Sequence, residues 1–201
     1  MIHKTAIIDS KAKVSSSVKI GPYTVIGPNV EIGDDVIIHS HVNISGNTDI
    51  GKTNTFFQFC SIGSPPQDLK FNGEKSKLII GDNNTIREFC TLNRGTEHSG
   101  KTIIGNKCLL MAYVHVAHDC IIKNNVIIAN GVAIAGHVEI DEHAIIGGLS
   151  AIQQFSKIGK FSMISGGSLV RKNVPPYIKV AKEPLRFIGV NTIGLNRKKK
   201  L

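Results

Sequence analysis

A six-residue repeat of large apolar residues constrains this chain more than any other feature. Every sixth residue from Ile2 to Val170 is Ile, Leu, Val or Phe, and only Asp68, Glu74 and His98 interrupt the series. A period of six is neither the 3.6-residue period of a helix nor the two-residue alternation of a simple strand. It indicates short strands that are separated by a corner every six residues.

A second column of small or β-branched residues lies four positions after each residue of the first column. It includes Ala6, Ala12, Val18, Thr24, Val30, Val126, Val132, Val138, Ala144 and Ser150. Such residues suit strands, and repeated units of this kind bury their apolar side by stacking on one another. Three six-residue sides make one triangular coil of 18 residues. The pattern therefore predicts an all-β fold, a parallel β-helix with the large aliphatic column inside.

Two segments leave the repeat, near residues 64–78 and 94–101. The first, SPPQDLKFNGEKSK, contains two prolines, which suits a loop that projects from the prism. The repeat resumes in phase after each segment, so the stack of coils continues past both. We expect residues 1–174 to form one β-helical domain with two projecting loops, followed by a C-terminal extension over residues 175–201.

The net charge and the hydropathy of the chain indicate which classes of partner it can bind and where in the cell it is expected. A formal net charge of +9 favours acidic partners. No cluster of interleaved basic and aromatic residues indicates nucleic-acid binding, and no apolar run approaches the roughly 18 residues of a membrane span. No leader pattern precedes the repeat, which begins at Ile2. We expect a cytoplasmic protein with no nucleic-acid partner and no transmembrane segment.

The four cysteines are expected to be structural. Cys60, Cys90, Cys108 and Cys120 all fall in the column of small residues, and no CxxC pair is present. Small buried thiols explain that placement better than zinc ligation or disulfide bonding.

The segment LLMAYVHVAHDC, residues 109–120, contains the first candidates for chemistry. Val116 is an inside position, so His115 beside it points outward by strand alternation. His118 falls at a corner of the triangle, where its side chain is predicted to project to solvent or towards a neighbouring subunit.

Residues 18 positions apart stack at the same corner, so Gly136 and then Gln154 follow His118, and His137 lies beside Gly136. Histidine has a pKa that suits base catalysis near neutral pH. The adjacent Asp119 could orient the ring and stabilise its cation. A backbone N–H at Gly136 is well placed to receive a developing oxyanion. This arrangement is typical of acyl transfer.

Two other interpretations of these histidines stay open at this point. Three converging histidines could bind a metal, but the spacing H-x2-H-x18-H does not match the spacing of metal-dependent β-helix enzymes, and we expect no metal. They could also be ordinary surface residues. The remaining histidines are expected to be surface residues: His3, His39, His41, His98 and His143.

Seven segments occur in an order that points to one family. They are QDLKF (67–71), NRGT (93–96), LLMAYVHVAHDC (109–120), AGHV (135–138), AIIGGLSAIQQF (144–155), VPPY (174–177) and GVNTIGLNR (189–197). Together they resemble the UDP-N-acetylglucosamine O-acyltransferase family of lipid A biosynthesis over nearly the whole chain. The resemblance implies a left-handed winding of the β-helix and the start of a helical region in the C-terminal extension.

The resemblance also implies a reaction and its partners. A 3-hydroxyacyl chain would move from the phosphopantetheine thioester of acyl carrier protein, which is a substrate and not a cofactor, to the 3-hydroxyl of UDP-N-acetylglucosamine. No other cofactor is implied. The enzyme would be a homotrimer with active sites between subunits. His118 would be the general base, Asp119 its orienting partner and the Gly136 N–H the oxyanion donor.

Further residues match substrate-binding positions of the family. They are His115, His137 and Gln154 for the sugar or acyl group, Asp68 and Lys70 for the substrate and phosphopantetheine, Asn191 and Arg197 for the nucleotide, and Gly166 for acyl length. Arginine suits bidentate phosphate binding. A glycine at 166 would leave room for a longer acyl chain.

The chain departs from the family pattern at Asn93 and Gln153, where histidines are usual, and at Ile193, where a glutamate is usual. These changes leave open an N-acyltransferase acting on a nucleotide-linked amino sugar, including a 3-amino sugar. A non-catalytic or degenerate β-helix relative is a third alternative. The sequence stops at RKKKL, whose basic residues could attract an acidic carrier protein or form a solvated tail.

Overall fold

The computed structural model describes residues 1–197, which form short, evenly spaced β-strands and one helix. In chain order these are β1 (Ile7–Ile8), β2 (Lys13–Val14), β3 (Lys19–Ile20), β4 (Val25–Ile26), β5 (Val30–Ile32), β6 (Ile37–Ile38), β7 (Asn43–Ile44), β8 (Asn47–Ile50), β9 (Thr55–Phe56), β10 (Ser61–Ser64), β11 (Lys77–Ile80), β12 (Thr85–Ile86), β13 (Thr91–Asn93), β14 (Lys101–Ile104), β15 (Leu109–Leu110), β16 (His115–Val116), β17 (Ile121–Ile122), β18 (Ile127–Ile128), β19 (Ala133–Ile134), β20 (Glu139–Ile140), β21 (Ile145–Ile146), β22 (Ala151–Ile152), β23 (Lys157–Ile158), β24 (Met163–Ile164), β25 (Leu169–Val170), β26 (Ile178–Ala181), β27 (Arg186–Val190) and α1 (Thr192–Arg197).

The strands pair into three sheets that form the sides of a triangular prism. Sheet 1 contains β1, β4, β7, β10, β13, β16, β19, β22 and β25; sheet 2 contains β2, β5, β8, β11, β14, β17, β20 and β23; sheet 3 contains β3, β6, β9, β12, β15, β18, β21, β24, β26 and β27. Paired strands are parallel and 18 residues apart in regular coils, as in the pairing of Ile8 with Ile26. The predicted parallel β-helix is confirmed.

The aliphatic column fills the interior of the prism. Its side chains are buried from Ile20, which is 3% exposed, to Val170, which is fully buried. The column of small residues lies beside it, and all four cysteines are buried free thiols, as predicted. Each large aliphatic side chain that is buried in this way contributes about 1.5–3 kcal/mol to stability.

The corners turn through single residues in the left-handed region of backbone conformation. Tyr113, Asp119 and Asn125 have φ values of 63°, 59° and 59°, and they follow one another at intervals of six residues. This conformation costs a non-glycine residue about 1–2 kcal/mol, so the hydrogen bonds between coils must hold it in place. Two residues of the candidate site, Asp119 and His137, occupy such positions.

Two loops leave the prism at the corner between sheets 1 and 2. Residues 65–76 connect β10 to β11, and residues 94–100 connect β13 to β14. The strands on either side stay in register, since Leu92 pairs with both Ile62 and Val116. Both loops therefore stack directly before the corner that carries His118.

The prism ends in a hairpin and a short helix. Strands β26 and β27 pair antiparallel at the edge of sheet 3, and α1 follows. Within residues 1–197, no helix is long and apolar enough to cross a membrane. The basic residues Lys198, Lys199 and Lys200 lie outside the described part of the chain.

Candidate active site

The corner between sheets 1 and 2 assembles the candidate residues by stacking. Five successive coils contribute to this corner, through residues 65–76, 94–100, 117–120, 135–138 and 153–156. The strands before it are consecutive neighbours in sheet 1: β10, β13, β16, β19 and β22. The strands after it are consecutive neighbours in sheet 2: β11, β14, β17, β20 and β23. Residues that are far apart in sequence are thus placed about one strand spacing, 4.8 Å, from one another.

Asp119 is the most completely hydrogen-bonded group at this corner. Its side chain is fully buried. Its Oδ1 accepts hydrogen bonds from the Thr96 N–H at 3.0 Å and from the Ser99 hydroxyl, and its Oδ2 accepts from the Thr96 hydroxyl at 2.6 Å. Burial raises the pKa of Asp119, but hydrogen bonds from Ser99, Thr96 and His118 outweigh that effect and hold the pKa at about 2. Asp119 is therefore an anion at neutral pH.

His118 lies against this anion. Its Nδ1 is 2.8 Å from the Oδ2 of Asp119. Because a carboxylate only accepts hydrogen bonds, Nδ1 carries the proton and the lone pair of the neutral ring is on Nε2. The Oδ2 of Asp68, on loop 65–76, is 3.9 Å from Nε2. His118 is only 7% exposed, so within one chain it does not project to solvent, and its expected position towards a neighbouring subunit stays a prediction.

Gly136 packs against the His118 ring. A Cβ atom at Gly136 would lie 2.5 Å from Cε1 and 2.7 Å from Nε2 of His118, so any larger residue would displace the ring. The Gly136 carbonyl accepts a hydrogen bond from the Phe155 N–H at 3.1 Å. Within residues 1–197 its own N–H has no hydrogen-bond acceptor, which leaves it available to a substrate at this corner.

His115 and His137 flank the pair, as the stacking predicts. His115 is half-buried, and its Nδ1 is 2.7 Å from the Thr91 hydroxyl. His137 meets His118 edge to face, with ring centroids 5.0 Å apart, and stacks on Phe155 at 4.5 Å. Burial lowers the pKa of both His115 and His137, so both rings are predominantly neutral at pH 7.

Three residues of loop 94–100 belong to this site although the sequence did not identify them. Thr96 and Ser99 bond Asp119, and the His98 ring contacts the edge of His137 with centroids 4.7 Å apart. His98 is exposed, as predicted, but it is not remote from the other histidines. The sequence feature that could have identified His98 as a site residue is that it interrupts the six-residue series of apolar residues.

Of the other predicted substrate contacts, Gln154 and Lys70 lie at the corner of His118, whereas Gly166 does not. Gln154 is exposed at the same corner, one coil beyond Gly136. Lys70 is exposed on loop 65–76, and its N–H donates to Oδ1 of Asp68 at 3.0 Å. Gly166 lies at another corner of the prism, between β24 and β25. Gly166 is therefore not brought to His118 within one chain.

Asn191 and Arg197 lie beside sheet 3, away from the corner of His118. They line a groove together with Ile127, Ile145, Met163 and Lys179. The buried Asn191 amide donates to the Phe161 carbonyl at 2.9 Å, and its Oδ1 accepts from the Gly194 N–H at 3.3 Å. Its side chain thus caps α1 within the chain, and its contact with a nucleotide stays a prediction.

The three unusual residues also have defined positions. Asn93 is buried, and its side-chain amide donates to the Pro65 carbonyl at 3.0 Å. Gln153 is exposed at the corner of Gln154, and Ile193 is exposed on α1. Asn93 therefore ties the end of β13 to the start of loop 65–76.

The cluster of His118, Asp119 and His137 has the composition of a metal site, since their ligand atoms lie within 4.8 Å of one another. However, the oxygens of Asp119 already accept from Thr96, Ser99 and His118. A carboxylate has about four lone-pair positions. A metal ion would have to displace several of these donors, so the arrangement favours proton transfer at His118.

Comparison with known proteins agrees with this geometry. Residues 11–46 and 101–136 match the bacterial transferase hexapeptide (six repeats) family. An acyl-(acyl-carrier-protein)–UDP-N-acetylglucosamine O-acyltransferase of Saccharophagus degradans is 50% identical over 198 residues, which are 98% of this chain and 77% of that protein. A protein of the same name from Helicobacter acinonychis is 58% identical over 197 residues, or 98% of this chain and 71% of that one.

The structural comparison agrees with the sequence comparison. The UDP-N-acetylglucosamine acyltransferase structure from Francisella novicida superposes on 98% of this chain and 73% of that one, with 44% identity and a TM-score of 0.97. This chain belongs to the UDP-N-acetylglucosamine O-acyltransferase family. Because a mirror-image winding could not superpose in this way, the β-helix is left-handed, as the resemblance implied.

The low pKa of Asp119 predicts a specific pH dependence of stability. The pKa falls from an ordinary value of 3.8 to about 2 on folding. This stabilisation, about 2 kcal/mol, is present above pH 4 and is lost as the pH falls towards 2. Between pH 5 and pH 3, Asp119→Asn should therefore lose less unfolding free energy than the wild type in urea denaturation.

Asp35→Asn is the matched control, because Asp35 has a similar left-handed conformation, with φ 56°, but is exposed. It should keep the wild-type dependence on pH. If Asp119→Asn and the wild type lose the same stability over this range, Asp119 is not a strongly held anion in the folded protein.

Proposed function

We propose that this chain transfers a 3-hydroxyacyl group from acyl carrier protein to the 3-hydroxyl of UDP-N-acetylglucosamine, in the cytoplasm, as the first step of lipid A biosynthesis. The observation that best supports this proposal is the contact of His118 Nδ1 with the Asp119 carboxylate at 2.8 Å, together with the packing of Gly136 against the same ring. This is a base, an orienting anion and an oxyanion donor at one corner.

The reaction follows from the protonation of the ring. The Nε2 lone pair of His118 takes the proton of the sugar hydroxyl while the hydroxyl oxygen attacks the thioester carbonyl carbon. The charge that develops on the carbonyl oxygen is stabilised by the Gly136 N–H. When the carbon–sulfur bond breaks, the leaving sulfur takes the proton back from the imidazolium, and Asp119 stabilises that cation in between.

The remaining corner residues are suited to holding the substrates. The Asp68 carboxylate, 3.9 Å from Nε2, is close enough to accept a second hydrogen bond from the sugar. Lys70, two residues further on the same exposed loop, offers a cation to the phosphate of the phosphopantetheine arm. His115, His137 and Gln154 continue the polar surface along the stack and would bind the sugar or the start of the acyl chain.

We also propose that three chains assemble into a trimer with sheets 1 and 3 buried. Outward charged side chains of sheet 2 form ion pairs at both ends of the prism, as in Lys13–Glu31, Lys77–Asp49 and Lys157–Glu139. The outward side chains of sheet 3 in the second half of the prism are apolar: Leu109, Ile127, Ile145 and Met163. Charged faces prefer water, whereas apolar faces favour burial against another subunit.

The corner between sheets 3 and 1 completes the apolar surface. It exposes large side chains from four coils: Phe59, Phe89, Tyr113 and Leu149. An apolar surface on sheet 3 and on the edge that it shares with sheet 1 suits three-fold packing with that edge on the axis. Sheet 1 of one subunit would then face sheet 3 of the next.

Three-fold packing would bring together the two separate parts of the predicted site. The corner of His118 borders sheet 1, and the groove with Asn191 and Arg197 borders sheet 3. In the trimer, the groove of one subunit would come next to the His118 corner of its neighbour. The nucleotide would then be held by Arg197 of one subunit while its sugar reaches His118 of another. Gly166, at the corner between sheets 3 and 1, would lie at the inner end of the same interface, where it would limit the acyl chain.

The trimer proposal predicts opposite results for two aliphatic residues that point outward. Leu109 on sheet 3 and Ile121 on sheet 2 are both half-buried and begin two-residue strands. Leu109→Glu should place a charge in the interface, dissociate the trimer and lower turnover, as measured by light scattering and a transferase assay. Ile121→Glu should remain a trimer. A wild-type chain with the mass of one subunit would contradict the proposal.

The proposed reaction is tested by a direct assay. The 201-residue chain is incubated with a 3-hydroxyacyl acyl carrier protein and either UDP-N-acetylglucosamine or its 3-amino analogue. We expect an ester product on the hydroxyl sugar. Turnover of the amino sugar alone would instead identify an N-acyltransferase, and no turnover of either sugar would contradict acyl transfer to this class of acceptor.

The same assay tests the role of His118 as the general base. His118→Ala should lower kcat by about 10²–10⁴, since a positioned general base contributes rate enhancement of this order. His39→Ala is the matched control, because His39 is exposed at a different corner, and it should keep wild-type turnover. Wild-type turnover by His118→Ala would remove His118 from the mechanism.

A further inference from the structure

Loop 94–100 is placed to control the orienting carboxylate of the proposed site. Asp119 receives four hydrogen bonds, and three of them come from this loop: two from Thr96 and one from Ser99. The fourth comes from His118. The loop is the insertion between β13 and β14, and Leu92 still pairs with Val116 in the next coil. The β-helix therefore continues past the insertion, and the insertion directs the side chains of Thr96 and Ser99 to Asp119.

We infer that Ser99 is a positioning residue, which together with Thr96 fixes the Asp119 carboxylate so that His118 Nδ1 donates to it and Nε2 stays unprotonated. This inference rests on the proposed function only for its kinetic consequences. With its lone pairs occupied, the carboxylate has one orientation in which all four donors are satisfied. Rotation of the carboxylate would break the contacts with both Thr96 and Ser99.

The chemical nature of the donors matters for catalysis. Thr96 and Ser99 stabilise the anion with neutral hydroxyl and N–H groups. A lysine or arginine in their place would hold the carboxylate but cancel its charge. With neutral donors the full negative charge remains to stabilise the His118 imidazolium, which forms when the sugar hydroxyl loses its proton.

Ser99 is the better of the two residues for a test. Its hydroxyl lies near both the Lys101 carbonyl, at 3.0 Å, and the Asp119 carboxylate, and the charged acceptor forms the stronger hydrogen bond. The Thr96 hydroxyl also accepts from the His98 N–H, so its removal would disturb the loop itself. Ser99 is exposed, and its replacement leaves the buried contacts of the loop in place.

The test compares three variants of the full chain. Ser99→Ala removes the hydroxyl, Ser99→Thr keeps it, and Ser10→Ala is a control for an exposed serine at the same corner of the first coil. We expect Ser99→Ala to lower kcat about tenfold with an unchanged KM for UDP-N-acetylglucosamine, since one charge-assisted hydrogen bond is lost. Ser99→Thr should restore most of the turnover, and Ser10→Ala should match the wild type.

A second readout does not depend on turnover. In 15N-histidine-labelled protein, over the pH range in which the His118 ring is neutral, the ring, assigned with His118→Gln, should show a protonated Nδ1 and an unprotonated Nε2. Ser99→Ala should shift these signals towards a mixture of the two tautomers. Unchanged ring signals or unchanged kcat in Ser99→Ala would overturn the inference. If the wild type lacks transferase activity, the proposed reaction fails, and the ring signals still decide the role of Ser99.

Discussion

The parallel hydrogen-bond ladder between coils is the constraint on which the rest of this structure depends. In regular coils it places each residue directly beside the one 18 positions later, so the His137 N–H donates to the His118 carbonyl at 3.0 Å and the Phe155 N–H donates to the Gly136 carbonyl at 3.1 Å. The site is thus built from backbone contacts that every coil repeats. A rigid scaffold of this kind holds reacting groups in place without help from the substrate.

The two loops add hydrogen-bond donors and a second carboxylate, which the repeat alone cannot place at this corner. A regular corner offers side chains at fixed spacing, but it leaves a corner carboxylate exposed to water. Loop 94–100 covers Asp119 with neutral donors, and loop 65–76 brings Asp68 to within 3.9 Å of the reactive nitrogen of His118. The buried anion and the adjacent ring form a pair in a low-dielectric environment, where electrostatic interactions are stronger than in water.

The fold and the centre of the site could be predicted because both follow the period of six. The interior column, the buried cysteines and the stacking of Gly136 on His118 all depend on register alone. The burial of His118 and the contacts of Thr96, Ser99 and His98 could not be predicted, since the conformation of an inserted loop has no periodicity. The capping of α1 by Asn191 was also missed, because it depends on tertiary contact with Phe161.

The central claim is that coil stacking sets the geometry of the reactive His118 ring. The most direct measurement is the kcat of Gly136→Ala beside that of Gly27→Ala, a glycine at the same corner whose added Cβ would meet no atom closer than 3.6 Å. We expect a folded Gly136→Ala protein with kcat lowered about 10²-fold or more, since the methyl group displaces the ring. Equal turnover of the two variants would contradict it.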